Sequence, residues 1–347
     1  MLGNRPRVTK VLNILVKLLP LIAFIVPVFM LYSLDPAVFE KTWKGRIFYV
    51  FFLWLISLEL ILNWEKLQTK LKKIASARTG VLVVALLLPA FYVVASNFYG
   101  LNAVIEDVAK ENGVLWASVM PLSTEYIVFT VCFVLIVLLE YGARGIKNFA
   151  VSTFFLGLIG MIYTIDNVYP DGQFTPFQMI VPTTATLAAN VLNMMGYHTS
   201  WLPPQNGMPI LHVQDSAGVS TSVAIAWACS GVESLLIYTV TVLLFLKNSV
   251  MSWKQRAIYF MFGAIVTYFI NILRIVTITT IAMYGTIDDF MAFHDYYGQL
   301  YSITWIICYP LLIIGSQALW GKIQNWKIRE KEPTSTSQLQ PFQPKPA

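Results

Sequence analysis

Eight apolar stretches recur along this 347-residue chain, near 12–34, 46–63, 80–98, 124–141, 149–166, 230–247, 257–283 and 301–320. Each is close to the ~20 residues that carry a helix across the hydrocarbon core of a bilayer. No water reaches the backbone there, so such stretches satisfy their own N–H and C=O groups as helices. Composition agrees: 57% of residues are hydrophobic and 12% charged, whereas a soluble domain carries about a quarter charged. The first stretch follows basic residues, as a signal peptide does. It is too long for one, lacks a small-x-small cleavage site and is expected to remain as the first helix. The expected fold is an all-α polytopic membrane protein of about eight transmembrane helices.

Charge sets the expected orientation. Nineteen of the 24 Lys and Arg lie in 5–17, 66–78, 144–147, 247–256 and 322–345. The alternate connections hold only Lys41, Lys44, Arg46 and Lys110, together with eleven Asp and Glu. The positive-inside rule then puts both termini in the cytoplasm of a multi-pass protein of the cell membrane. The net charge of +6 reports this topology, and nucleic acid is not expected as a partner. The three cysteines, Cys132, Cys229 and Cys308, form no CxxC or Cys/His spacing. Neither a disulfide framework, a metal site nor a cofactor is expected.

Three regions follow: 1–170, a helical half of five spans; 171–322, an outer segment followed by three helices; and 323–347, a Pro-, Gln-, Ser- and Thr-rich tail expected to be disordered. Residues 64–79 read as a cytoplasmic amphipathic turn on anionic lipid. Between Gly172 and Gln214 there is no Asp, Glu, Lys or Arg. Counting 176–195 as a span would reverse every later loop, so it is read as an interfacial or re-entrant helix on the outer face. Next come two strand-like runs, 208–214 and 220–229, a small extracytoplasmic hairpin before the next helix. In the second run Val223, Ile225 and Trp227 alternate with small residues. It leads directly to Cys229 at the mouth of the 230–247 span.

Cys229 lies 18 residues from Lys247, and Arg274 lies 18 from Arg256. Both therefore stand about 27 Å above their basic anchors, at one level near the outer boundary. His294, in the outer loop 284–299, can fold back over them. A thiolate is a nucleophile whose pKa falls at a helix N-terminus. A buried Arg is costly in a membrane unless it pairs or serves a site, and beside a reacting carbonyl it can hold the oxyanion. His294 suits general acid–base work. In support, Ser230 and Gly231 keep the first turn small and open to a substrate backbone. Asn271, one turn before Arg274, can orient its guanidinium, and Glu233 can act as its counter-ion. Each residue also has a plain structural reading: Cys229 as a packed thiol, Arg274 as a snorkelling anchor, His294 as a solvated side chain, Asn271 and Glu233 as interhelical partners. His198 and His212 are rival bases.

At these residues the chain resembles the exosortase/archaeosortase family of membrane cysteine transpeptidases. The pieces are Ala228-Cys229-Ser230-Gly231-Val232-Glu233-Ser234, then Asn271-Ile272-Leu273-Arg274-Ile275, then His294-Asp295-Tyr296-Tyr297-Gly298, across roughly 175–320. The uncharged outer segment and long tail are similar to an archaeosortase-like branch such as the thaumarchaeosortases. Some archaeal branches carry Arg in the third position; this chain follows the His pattern. The resemblance implies catalytic roles for Cys229, Arg274 and His294. It also implies partners: surface-protein precursors ending in a sorting signal of motif, transmembrane helix and basic end, with a membrane lipid amine as acceptor. An extended motif is expected to pair with an edge of 208–214 or 220–228. Two other functions fit the composition: a small-solute transporter with Arg274 and Glu233 lining its path, and a non-catalytic membrane assembly factor.

Overall fold

The computed structural model describes residues 5–67, 77–170, 173–247, 249, 251–298 and 300–331. The amphipathic turn expected at 64–79 falls largely outside the described residues, as does the expected disordered tail from 332 on, whereas 323–331 of that tail continue the last helix. Helices stand at all eight expected positions: Arg5–Leu34, Ile47–Leu62, Ala77–Phe98, Met120–Tyr141, Ala150–Val168, Val232–Lys247, Trp253–Tyr284 and Leu300–Lys331. Among the described residues, six helical stretches are long and apolar enough to cross a membrane. Ile47–Leu62 and Val232–Lys247 have 16 residues each, about 24 Å of helix. The protein is a multi-pass membrane protein. Many large apolar side chains point outward from these helices, among them Phe29, Ile61, Leu87, Phe91 and Val131, a surface that lipid accepts and water does not.

The described residues up to Ile306 form one compact unit, and the last helix from Ile307 on belongs to a second. Inside the first unit an aromatic cluster sits among the N-terminal helices. Phe24 meets Phe52 and Phe129 edge-on, with ring centroids 5.3 and 5.4 Å apart, and Tyr49 stacks on Tyr126 at 4.3 Å. Buried Glu59 ties two helices together. Its carboxylate accepts from Val151 N (3.1 Å), Ser152 N (3.0 Å) and Ser152 Oγ (2.7 Å), which caps the positive end of the Ala150–Val168 helix.

The uncharged segment folds as Thr175–Gln178 followed by Val181–Met194. The second helix has 14 residues, about 21 Å, too short to cross a ~30 Å core. The expected hairpin is instead a three-stranded antiparallel sheet in the order β1-β2-β3, with β1 His198–Gln205, β2 Met208–Gln214 and β3 Ser220–Ala224. Sequence reading misses β1 because Pro203 and Pro204 signal a loop; an edge strand tolerates them. β2 is central, paired with β1 from His198↔Gln214 and with β3 from Ile210↔Ala224. The expectation that 208–214 offers a free edge is therefore corrected. β3 also stops at Ala224, five residues before Cys229, because the chain coils into a tight turn at Trp227–Ser230. Leu211 and Val213 are buried on the sheet's inner face.

Candidate active site

Cys229 does not open the helix as the sequence suggested. It lies in the Trp227–Ser230 turn, closed by Cys229 N donating to Ala226 O (3.0 Å) and Ser230 Oγ donating to Trp227 O (2.5 Å). Gly231 follows with φ +92°, a conformation that L side chains adopt at a cost. A Cβ there would come within 2.9 Å of Asn271 Nδ2. Only then does the Val232–Lys247 helix begin. Trp227 anchors the turn, buried with its ring 5.1 Å from that of Phe177 and 6.2 Å from that of Trp43. The expectation that Ser230 and Gly231 leave this turn open is corrected: both are buried, and their smallness serves the turn's own closure and its contact with Asn271.

Asn271 also has a different place from the one expected. Its Nδ2 donates to the main-chain carbonyl of Cys229 at 3.0 Å, so it fixes the backbone of the Cys229 turn. Arg274 is buried in the Trp253–Tyr284 helix. Its Nε lies 2.7 Å from where a Cβ at residue 298 would stand, so Gly298 provides the space the guanidinium occupies.

His294 arrives from a segment expected to be a loop and found to be helical. Thr286 and Asp289 cap one another through Asp289 N to Thr286 Oγ1 (3.1 Å) and Thr286 N to Asp289 Oδ2 (3.0 Å), starting the Ile287–Ala292 helix. A wide turn, Phe293–Tyr297, continues it. The turn points His294 inward: its Nε2 is 3.7 Å from Cys229 Sγ, across 65 residues of sequence. On the other side of the ring, Nδ1 is 2.9 Å from Asp295 Oδ1. Asp295 was not singled out by the sequence reading, although it stands next to His294 in the third motif.

A further contact had no sequence signal at all. Thr42 donates twice to the main-chain carbonyl of Asp295, from N at 3.1 Å and from Oγ1 at 2.7 Å, over 253 residues. The same short loop carries Lys44, which pairs with Asp166 at 2.6 Å and lies 3.5 Å from the centroid of the Trp116 ring. It also carries Arg46, held by Glu125 in a two-pronged pair at 2.9 Å each. Tyr126 OH completes the anchorage with a 2.8 Å bond to Gly45 O.

Burial pushes the half-buried Cys229 thiol up. The His294 hydrogen bond and the positive charges of His294 and Arg274 outweigh that, against Asp166, and leave the thiol below the ordinary range. Glu233, buried in the first turn after Gly231, lies within electrostatic reach of Arg274, Cys229 and His294. The rival imidazoles lie elsewhere. His198 is in β1, and His212 in β2 faces Ser222 Oγ at 3.0 Å.

Fold and site together define a multi-pass helical membrane protein in which a thiol, an imidazole and a guanidinium share one charge environment. The model of the transmembrane exosortase family matches residues 42–312, and the chain belongs to that family. No curated protein and no solved structure matches the chain. Family membership supports a membrane transpeptidase of the exosortase type. The match reaches far beyond the 175–320 that carry the motifs. It begins at Thr42, the residue that grips Asp295.

Proposed function

We propose that this protein is a membrane-embedded cysteine transpeptidase that cleaves C-terminal sorting signals of surface proteins and passes the acyl group to an amine, which the family resemblance assigns to a membrane lipid. The observation that carries the reading is the 3.7 Å approach of Cys229 Sγ to His294 Nε2, with Asp295 on the opposite ring nitrogen. Cys229 is the nucleophile. Its thiolate adds to the scissile carbonyl, the C–N bond breaks, and His294 gives a proton to the departing amine. The acceptor amine then adds to the thioester, returns its proton to His294 and releases the thiolate. Asp295 holds the imidazole in the tautomer whose Nε2 faces sulfur. Arg274 stabilises the oxyanion, an interaction worth about 2.7–4 kcal/mol where such donors have been removed. Asn271 keeps the nucleophile's backbone in place.

With both termini cytoplasmic, this site faces outward, where a substrate's exterior domain meets its anchoring helix. Cys229→Ser tests the reading. The variant should accumulate in the membrane like the parent chain and fail to process a precursor bearing a sorting signal. Normal processing by that variant would overturn it, and a transporter or assembly factor should tolerate the change.

A further inference from the structure

The sheet beside the site has two edges, and they are not equivalent. On β1 the outward main-chain groups belong to Thr199, Trp201 and Pro203. Thr199 N is already taken by Asn193 Oδ1 at 3.2 Å, and Pro203 has no N–H to offer. On β3 the bonds from Ile225 N to Pro209 O (3.0 Å) and from Asp215 N to Val219 O (2.9 Å) flank the ladder. They fix which alternate residues face β2. Ser220, Ser222 and Ala224 therefore aim their N–H and C=O groups away from the sheet, and all three are exposed. β3 leads, through Ile225 and Ala226, into the turn that holds Cys229.

We infer that the open edge of β3 binds the acyl half of the substrate, as an extended peptide pairing in parallel with Ser220–Ala224 and presenting its scissile carbonyl to Cys229. This rests on Cys229 being the nucleophile. Chemistry selects the half and the direction. After the C–N bond breaks, the leaving segment must depart while the acyl segment stays for the second step, so the edge should hold residues that precede the carbonyl. A chain whose C-terminal end arrives at Cys229 along β3 runs in the same direction as β3. Main-chain pairing of this kind gives affinity with tolerance of side chains.

The test uses a generic probe, acetyl-Thr-Val-Thr-Val-Thr-Val-Thr-Val-Ala chloromethyl ketone, whose nine residues span roughly 30 Å as a strand, enough to reach from Cys229 back along β3. Its carbon forms a thioether with Cys229 as chloride leaves. Labelling of the full-length protein in detergent is followed by mass spectrometry, with iodoacetamide as a reagent that needs no docking. N-methylating alternate amides of the probe, in the frame that faces β3, should slow labelling about tenfold, the scale of two lost hydrogen bonds. Ser222→Pro removes one outward N–H at a position where an edge strand accepts proline. It should slow the unmethylated probe several-fold and leave the iodoacetamide rate unchanged. Ser222→Ala, which keeps the N–H, should label like the parent. A peptide carrying its electrophile at the N-terminus, as chloroacetyl-Thr-Val-Thr-Val-Thr-Val-Thr-Val-Ala amide, should label more slowly than the ketone.

Equal rates for methylated and unmethylated probes on the parent protein, with iodoacetamide still reacting readily at Cys229, would overturn the docking edge and leave the nucleophile standing. Faster labelling by the N-terminal electrophile would overturn the parallel direction. Failure of iodoacetamide to prefer Cys229 over exposed Cys308 would remove the nucleophile, and the edge proposal with it.

Discussion

Cys229 Sγ and His294 Nε2 stand 3.7 Å apart, one in a tight turn before the Val232–Lys247 helix and the other in a wide turn before the Leu300–Lys331 helix. That pairing, together with nearby Arg274, holds the thiol below its ordinary range against the opposing effect of burial. Thiolate is the species above the pKa, so lowering it extends reactivity to more acidic solution. The rate of iodoacetamide labelling at Cys229 should therefore rise with a midpoint below that of an ordinary exposed thiol. In His294→Ala burial acts with less opposition, and the midpoint should move up. A midpoint unchanged by that substitution would separate the imidazole from the thiol.

Asp295 holds the far side of the His294 ring at 2.9 Å. A hydrogen bond to a charged group is worth about 1.5–3 kcal/mol, or roughly 10- to 150-fold in rate. Both side chains are partly exposed, so the lower end applies. Asp295→Asn should reduce processing about tenfold while the protein accumulates normally. Steady-state processing of a precursor in membranes measures it, and parental rates would exclude an orienting role.

Thr42 acts one step further out, through the Asp295 carbonyl. Thr42→Val removes the Oγ1 donor and keeps the main-chain one, a neutral bond worth about 1 kcal/mol. Processing should fall about fivefold, Thr42→Ser should restore it, and the midpoint of Cys229 labelling should shift with activity. A loss of protein yield without a shift in that profile would make Thr42 a packing residue only.

Gly298→Ala places a methyl where Arg274 Nε needs room, at 2.7 Å. Arg274 must move or the turn must shift. Processing should fall toward the level of Arg274→Ala, itself expected to lose about 100- to 1,000-fold if the guanidinium serves as an oxyanion donor. Labelling of Cys229 by iodoacetamide, which forms no tetrahedral oxyanion, should fall far less in Gly298→Ala. Equal losses in both assays would point to general disruption.

Gly231→Ala forces a left-handed conformation on a residue with a Cβ, a cost of about 1–2 kcal/mol, and sets that Cβ 2.9 Å from Asn271 Nδ2. The melting temperature in detergent should drop, and Asn271→Ala in the same chain should recover part of it by removing the obstructing amide. No recovery would mean that the clash is relieved elsewhere.

The helices were legible because bilayer crossing demands a long apolar run, a signal written locally in every span. Cys229, Arg274 and His294 were legible for a related reason: polar groups in or beside apolar helices stand out. What surrounds them was harder to read. Asn271 lies one turn from Arg274 on a helix, which suggested a pair, but the close approach of Gly231 leads its amide to the Cys229 carbonyl. Pro203 and Pro204 hid β1, since proline penalises a strand only where its missing N–H is needed. Asp295 was visible beside His294 and carried no distinguishing mark among the acidic residues of its loop. Thr42 was invisible, because a threonine in a loop 253 residues away has no periodicity or charge to betray a long-range contact.

The most direct test of the account is to capture the acyl-enzyme. Purified protein is incubated with a tagged precursor carrying a C-terminal sorting signal, quenched with acid and digested for mass spectrometry. The account predicts an acyl group on Cys229 that hydroxylamine releases, absent from Cys132 and Cys308 and lost in Cys229→Ser. Processing that proceeds with no hydroxylamine-sensitive adduct on Cys229, or with an adduct on another residue, would contradict it.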